Sequence, residues 1–94
     1  MTEQEFHDTL DAWSKETAYV SSTEKIQEHP SFTELVKAGK EIISYIRAEL
    51  EARENRLLLM LVLQEIYGFS PVKPENQGLI ENMTCDWLKY LQGD

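Results

Sequence analysis

The chain has 94 residues, 41% hydrophobic and 28% charged, and its seventeen acids against nine bases give a net charge of −8. This length suits one domain with a modest hydrophobic core, so we expect a single helical domain over residues 1–94. The acidic balance opposes direct binding to nucleic acid or to an anionic membrane, because both depend on Lys and Arg side chains.

The first helix is predicted from Thr2 to about Ala18. Thr2 and Glu5 have the capping-box spacing, in which a hydroxyl and a carboxylate satisfy free backbone amides at a helix start. Apolar residues at helical spacing then predict one buried stripe. These residues are Phe6, Leu10 and Trp13.

A linker at residues 19–22 precedes a predicted short helix over residues 22–28. Ser21 and Glu24 repeat the capping-box spacing. His29-Pro30 ends this helix, because proline disfavours helical backbone in the residue before it.

A third helix is predicted after Pro30. Ser31 and Glu34 again have the capping-box spacing. The helix ends near Ala38, because Gly39 is suited to the left-handed conformation that terminates helices.

Residues 40–67 are predicted to form two helices, over 40–53 and 56–67, with a break at Asn55. One rod of 28 residues would span about 42 Å at 1.5 Å per residue, which is long for a chain of this size. The stretch from Arg56 to Tyr67 is almost entirely apolar. A helix that is apolar around most of its circumference is typical of the centre of a fold, so we expect this one to be central.

The last helix is predicted over residues 77–91, after a loop at 69–76 that contains two prolines. Its expected buried stripe comprises Leu79, Ile80, Met83, Trp87 and Leu91. No segment alternates as a strand would. The fold class is therefore predicted to be all-α, a compact domain of five to six short antiparallel helices.

The sequence favours a cytoplasmic protein. The acidic start MTEQE lacks the basic and apolar segments of a signal peptide. The longest apolar run, Leu57–Leu63, has seven residues, whereas a membrane span needs about 20. Cys85 is the one cysteine, which excludes an intramolecular disulfide and a cysteine-based zinc cluster and suits a reducing compartment.

A set of landmarks over nearly the whole chain resembles a family of short bacterial and phage-borne proteins. The landmarks are Trp13, Glu16-Thr17, Ser21-Ser22, His29-Pro30, Gly39, Ile66-Tyr67-Gly68, Ser70-Pro71-Val72, Gly78, Met83 and Trp87-Leu88. The departures are Val62-Leu63 in place of Ala-Leu, Tyr67 in place of Thr, and Leu57–Leu59 in place of aromatic residues. The resemblance implies helical hairpins packed like one or two HEAT units. It implies no reaction and no cofactor.

Several residues have both a catalytic or metal-binding interpretation and a structural one. Glu3, His7 and Asp11 share a helix face and could bind a divalent metal, but a solvated acidic face accounts for the same pattern. His29 could act as a general base, although a hydrogen bond from its ring to neighbouring backbone is the favoured role. Cys85 is expected to be a buried or half-buried small hydrophobe, because Asp86 beside it opposes thiolate formation.

Residues 1–28 hold most of the charge imbalance, with seven acids against two bases, a balance of −5. This concentration makes the first helix the leading candidate for a partner-binding surface. Aromatic residues are favoured at interfaces, so Trp13, Phe69 and Trp87 are further candidates. The predicted partner-binding residues are Glu3, Asp8, Asp11, Trp13, Phe69 and Trp87. Burial in the core is the default interpretation for both tryptophans, and an exposed face on either would indicate a partner site.

The preferred function is a non-enzymatic module that binds another protein, with no cofactor and no metal. The partner is expected to be a protein: either a cognate toxin or enzyme that the module neutralises, or a basic nucleic-acid-binding protein that it inhibits as a DNA mimic does. One alternative is a self-associating structural protein, such as a homodimer, because the 56–67 helix is so apolar. The other is a metal-dependent enzyme that uses His7, His29 and carboxylates.

Overall fold

The computed structural model describes residues 1–92, in which it contains six α-helices, two short 3₁₀ helices and no strand. The all-α prediction is confirmed. The α-helices are α1 (Glu3–Glu16), α2 (Thr23–Glu28), α3 (Pro30–Ala38), α4 (Ile43–Glu51), α5 (Arg56–Tyr67) and α6 (Ile80–Gln92). The 3₁₀ helices are Gly39–Ile42 and Pro74–Asn76. None of the described helices is long and apolar enough to cross a membrane.

The chain divides into two compact units, Met1–Tyr45 and the residues from Ile46 onward. In the first unit, α1 and α2 both pack against α3. In the second unit, α5 packs against α6, and α6 also contacts the Pro74–Asn76 turn. The predictions of a single domain and of HEAT-like packing stay predictions.

The start of α1 has the predicted capping box. The Thr2 hydroxyl accepts a hydrogen bond from the Glu5 amide at 3.1 Å, and the Glu5 carboxylate accepts one from the Thr2 amide at 3.0 Å. These two bonds lower the pKa of Glu5 below its usual value. The apolar stripe that follows is buried as expected, because Phe6, Leu10 and Trp13 are all core residues.

The two other predicted capping boxes are wrong. The N-cap of α2 is Ser22, whose side chain makes no capping bond, so the Ser21 hydroxyl is one residue out of register. Helix α3 begins at Pro30, ahead of Ser31. Proline favours the first helical position, because its fixed φ fits the helix and its missing amide needs no acceptor there. Ser31 therefore lies inside α3, where it is buried.

The predicted break between two helices is confirmed. Helix α4 ends at Glu51 and α5 begins at Arg56. Between them, Arg53 and Asn55 both adopt positive φ, at 60° and 52°. Asn accepts the left-handed conformation more readily than most residues, which explains why the chain turns here.

The last helix begins later than predicted, at Ile80. Gly78 has a φ of +86°, which interrupts helical geometry before that point. Leu79, just before α6, and Ile80, its first residue, are exposed, whereas the helical stripe predicted them to be buried. Trp87 and Leu91, farther along α6, are buried as expected.

Helix α5 is covered on one side only. Leu59, Met60, Val62 and Leu63 are buried, whereas Leu57 is 56% exposed. The expectation of a central helix enclosed around its circumference is therefore corrected. The start of α5 is the part that stays uncovered.

This difference in burial predicts a large loss of stability when one leucine of α5 is truncated and a small one when another is. Leu59→Ala should lower the free energy of unfolding by about 2–5 kcal/mol, because Leu59 is fully buried and its truncation leaves a cavity. Leu57→Ala, the matched control, should change it by less than about 0.5 kcal/mol. Chemical denaturation of both variants measures the two values, and equal losses would contradict the burial described for α5.

Candidate interaction surface

The outward side of α1 carries the predicted acidic residues. Glu3, Asp8 and Asp11 are all exposed, whereas the apolar stripe of the same helix is buried. Lys15 pairs with Asp11 at 2.9 Å, and the Gln4 side-chain amide donates to Asp8 at 2.9 Å. These are local contacts within one helix, and they leave the three carboxylates at the protein surface.

Trp13, predicted as a partner-binding residue, lies in the core of the first unit. Its side chain is fully buried, and its indole Nε1 donates a hydrogen bond to the Ile26 carbonyl at 2.9 Å. Its ring also packs against Phe32, with 5.7 Å between centroids. Trp13 therefore joins α1 to the following two helices and offers no surface to a partner.

Trp87 is also a core residue, and Phe69 lies at the edge of the same aromatic cluster. Trp87 is buried against Tyr67 and Tyr90, with centroid distances of 6.2 and 6.1 Å. Phe69 packs edge-on against Tyr90 at 5.2 Å but stays 44% exposed. Of the three predicted aromatic contacts, Phe69 alone has ring surface available to a partner.

His29 has the structural role that the sequence favoured. Its Nδ1 accepts a hydrogen bond from the Ser31 amide at 3.1 Å, so the ring caps α3. Its Nε2 lies 3.4 Å from a Glu16 carboxylate oxygen at the end of α1. Both ring nitrogens thus have partners in the structure of the turn.

A carboxylate that the sequence did not single out holds the loop before α6. One oxygen of Asp86 accepts hydrogen bonds from the Asn76 side-chain amide at 2.8 Å and from the Lys73 amide at 3.1 Å. These bonds, that from Asn76 foremost, lower the pKa of Asp86. The sequence signal was an acid beside the buried stripe of α6, following a proline-rich loop.

The second unit has an open groove at the start of α5 and α6. Its volume is about 290 Å³. It is lined by Arg53, Asn55, Arg56, Leu57, Leu58 and Ile80. Sequence reasoning missed it, because it placed Ile80 in the buried stripe and assigned no role to the arginines.

An ion cluster adjoins this groove. Arg53 donates to one oxygen of the Glu81 carboxylate at 2.8 Å, and Arg56 donates to the other at 2.7 Å. The hydrogen bond from Arg53, followed by that from Arg56, lowers the pKa of Glu81. Residues 25 and 28 positions apart meet here, which no local spacing could reveal.

Neither Cys85 nor the candidate metal ligands have the arrangement that the sequence suggested. Cys85 is exposed, which corrects the expectation of a buried or half-buried side chain. It lies on the solvent side of α6, next to the buried Thr84 and Asp86. Within residues 1–92, no group of three or more His, Cys, Asp or Glu side chains could hold a metal ion, and this includes Glu3, His7 and Asp11.

No family model matches the chain, and no curated protein or solved structure is significantly similar to it. The resemblance to short bacterial and phage-borne proteins is therefore still a prediction. The geometry of these surfaces is the basis for any functional proposal.

The role of Asp86 predicts a pH-dependent contribution to stability. Its pKa is lowered in the folded protein, so the stability it provides is present above the unfolded value of about 3.9 and is lost as the pH falls through the folded value. Asp86→Asn should lower the thermal unfolding midpoint at neutral pH. The gap from wild type should then shrink below about pH 4.

Glu75→Gln is the matched control, because it removes an exposed carboxylate from the same loop. It should leave the neutral-pH midpoint close to that of wild type. Thermal unfolding of the three proteins across this pH range measures the effect. A gap for Asp86→Asn that does not depend on pH would show that the charge of Asp86 does not hold the loop.

Proposed function

We propose that this protein is a small, cytoplasmic, non-enzymatic module that binds a basic protein through the acidic side of α1. The observation that carries the proposal is the exposure of Glu3, Asp8 and Asp11 on a helix whose other side is anchored in the core. A capped and packed helix presents these charges in a fixed arrangement. Binding therefore does not require the surface to fold first.

Charge favours a basic partner over other classes. The balance of −5 in residues 1–28 attracts Lys- and Arg-rich surfaces and accelerates encounter with them. A basic toxin or enzyme fits this surface, as does a nucleic-acid-binding protein whose basic groove α1 occupies in place of phosphates. Both kinds of partner require a basic surface opposite the carboxylates of α1.

The contacts of His29 favour a non-enzymatic role over the metal-dependent enzyme. Its Nδ1 caps α3 and its Nε2 faces Glu16, so the ring supports the junction of two helices. A general base needs a free nitrogen within hydrogen-bond reach of a substrate proton. The described contacts of His29 instead hold the junction between α1 and α3.

The proposal predicts that reversing three charges on α1 abolishes partner binding. The variant combines Glu3→Lys, Asp8→Lys and Asp11→Lys. The matched control combines Glu34→Lys, Glu65→Lys and Glu75→Lys, which changes the net charge equally at exposed acids outside α1. Affinity purification from the native host with wild-type bait identifies the partner, and its binding is then measured for all three proteins.

Wild-type binding should weaken as salt rises, because the Debye length falls from about 10 Å at 0.1 M to about 3 Å at 1 M. The α1 variant should lose binding and the control should retain most of it. Binding that survives reversal of the α1 charges would show that this surface does not bind the partner. Equal losses in both variants would attribute binding to net charge alone.

A further inference from the structure

Most of the exposed apolar side chains described in the second unit lie at the starts of α5 and α6. Of the five large hydrophobic residues exposed within the described chain, three belong to this cluster: Leu57, Leu79 and Ile80. Leu79 and Ile80 are 53% and 36% exposed. Apolar surface gathered in one place and bordered by charged residues is typical of a protein contact.

The charges around this cluster balance. We define the α5–α6 patch as Arg53, Glu54, Arg56, Leu57, Leu79, Ile80 and Glu81. It contains two bases and two acids, so its net charge is zero in a chain of −8. The patch therefore differs from residues 1–28, where the same count gives −5.

We propose that the α5–α6 patch is the contact surface between two copies of this chain. A two-fold axis sets the same surface against itself. Such contact through residues 1–28 would bring two strongly acidic surfaces together, whereas contact through the patch covers apolar side chains without net repulsion. Charge therefore opposes a second copy less at the patch than at residues 1–28.

The ion cluster suits this reciprocal arrangement. Both oxygens of Glu81 are engaged by arginines of the same chain, so this carboxylate is not left unpaired when the patch is covered. Both Arg53 and Glu81 remain about half exposed. Their outer atoms are available to the opposite charges of a second copy. This dimer does not depend on whether α1 binds a basic partner.

Leu57→Asp is the variant that tests the contact. Leu57 is the second residue of α5, and an acid in the first turn of a helix is favoured by the helix dipole. The substitution should therefore leave the fold intact while placing a charge in the apolar centre of the patch. Thr33→Asp adds the same charge at an exposed position of α3 and is the matched control.

Sedimentation velocity of the purified full chain, from about 5 to about 500 µM, measures association by mass action. Wild type and Thr33→Asp should pass from monomer to dimer as concentration rises, and Leu57→Asp should stay monomeric. Thermal unfolding of all three verifies that the variants are folded. If Leu57→Asp is unfolded, Leu79→Asn takes its place, because Leu79 lies outside both helices.

Cys85 provides a positional readout. It is exposed, it is the one cysteine of the chain, and it follows Glu81 by one helical turn on α6. A short bis-maleimide should link wild-type chains into covalent dimers through Cys85, and Leu57→Asp should reduce that yield at least tenfold. A monomer at every concentration would overturn the proposal and leave the patch to a different protein. A dimer unaffected by Leu57→Asp would overturn it as well.

Discussion

A chain of 94 residues leaves part of its most apolar helix, α5, uncovered. Small domains bury a smaller fraction of their surface than large ones, so apolar residues in excess of the available core remain at the surface. Helix α5 is the most apolar segment of the chain. It packs against α6, and its residues Leu59, Val62 and Leu63 are buried. The uncovered end begins at Leu57, which is exposed and lines the groove.

The turn between α4 and α5 decides which residues surround the uncovered end. Arg53 and Asn55 in the left-handed region stop α4 and start α5 within a few residues. This places Arg53 and Arg56 on the same carboxylate, that of Glu81. Backbone conformation at two residues thus positions the charges that border the apolar surface.

Local patterns in the sequence predicted the local structure well. The capping box at Thr2, the stripe ending at Trp13 and the break at Asn55 each arise from residues close together in the chain. The two incorrect capping boxes show the limit of spacing alone. At Ser31, the preference of Pro30 for the first helical position outweighed the pattern.

The surfaces were harder to predict, because they depend on contacts between distant residues. The acidic side of α1 was predictable, since its charge and its buried stripe both lie within one helix. The groove was not, because it brings Ile80 next to Arg53 and Leu57, which are distant from it in the chain. The hydrogen bonds of Asp86 were not predictable either, because they join residues ten and thirteen positions apart.

The two surfaces have different chemistry, so they suit different contacts. The acidic side of α1 favours fast, salt-sensitive association with a basic protein. The α5–α6 patch is neutral and partly apolar, so its contacts should depend less on salt. A chain that uses both would present two acidic surfaces from one dimer, which raises the effective concentration for a partner with two basic sites.

Methyl NMR spectra recorded at increasing protein concentration show directly which side chains a second copy covers. The methyl signals of Leu57, Leu79 and Ile80 should shift as the dimer forms. Those of Leu10 and Leu35, buried in the first unit, should stay in place. Signals of the patch that do not move with concentration, or larger shifts in the first unit, would contradict a second copy on the α5–α6 patch.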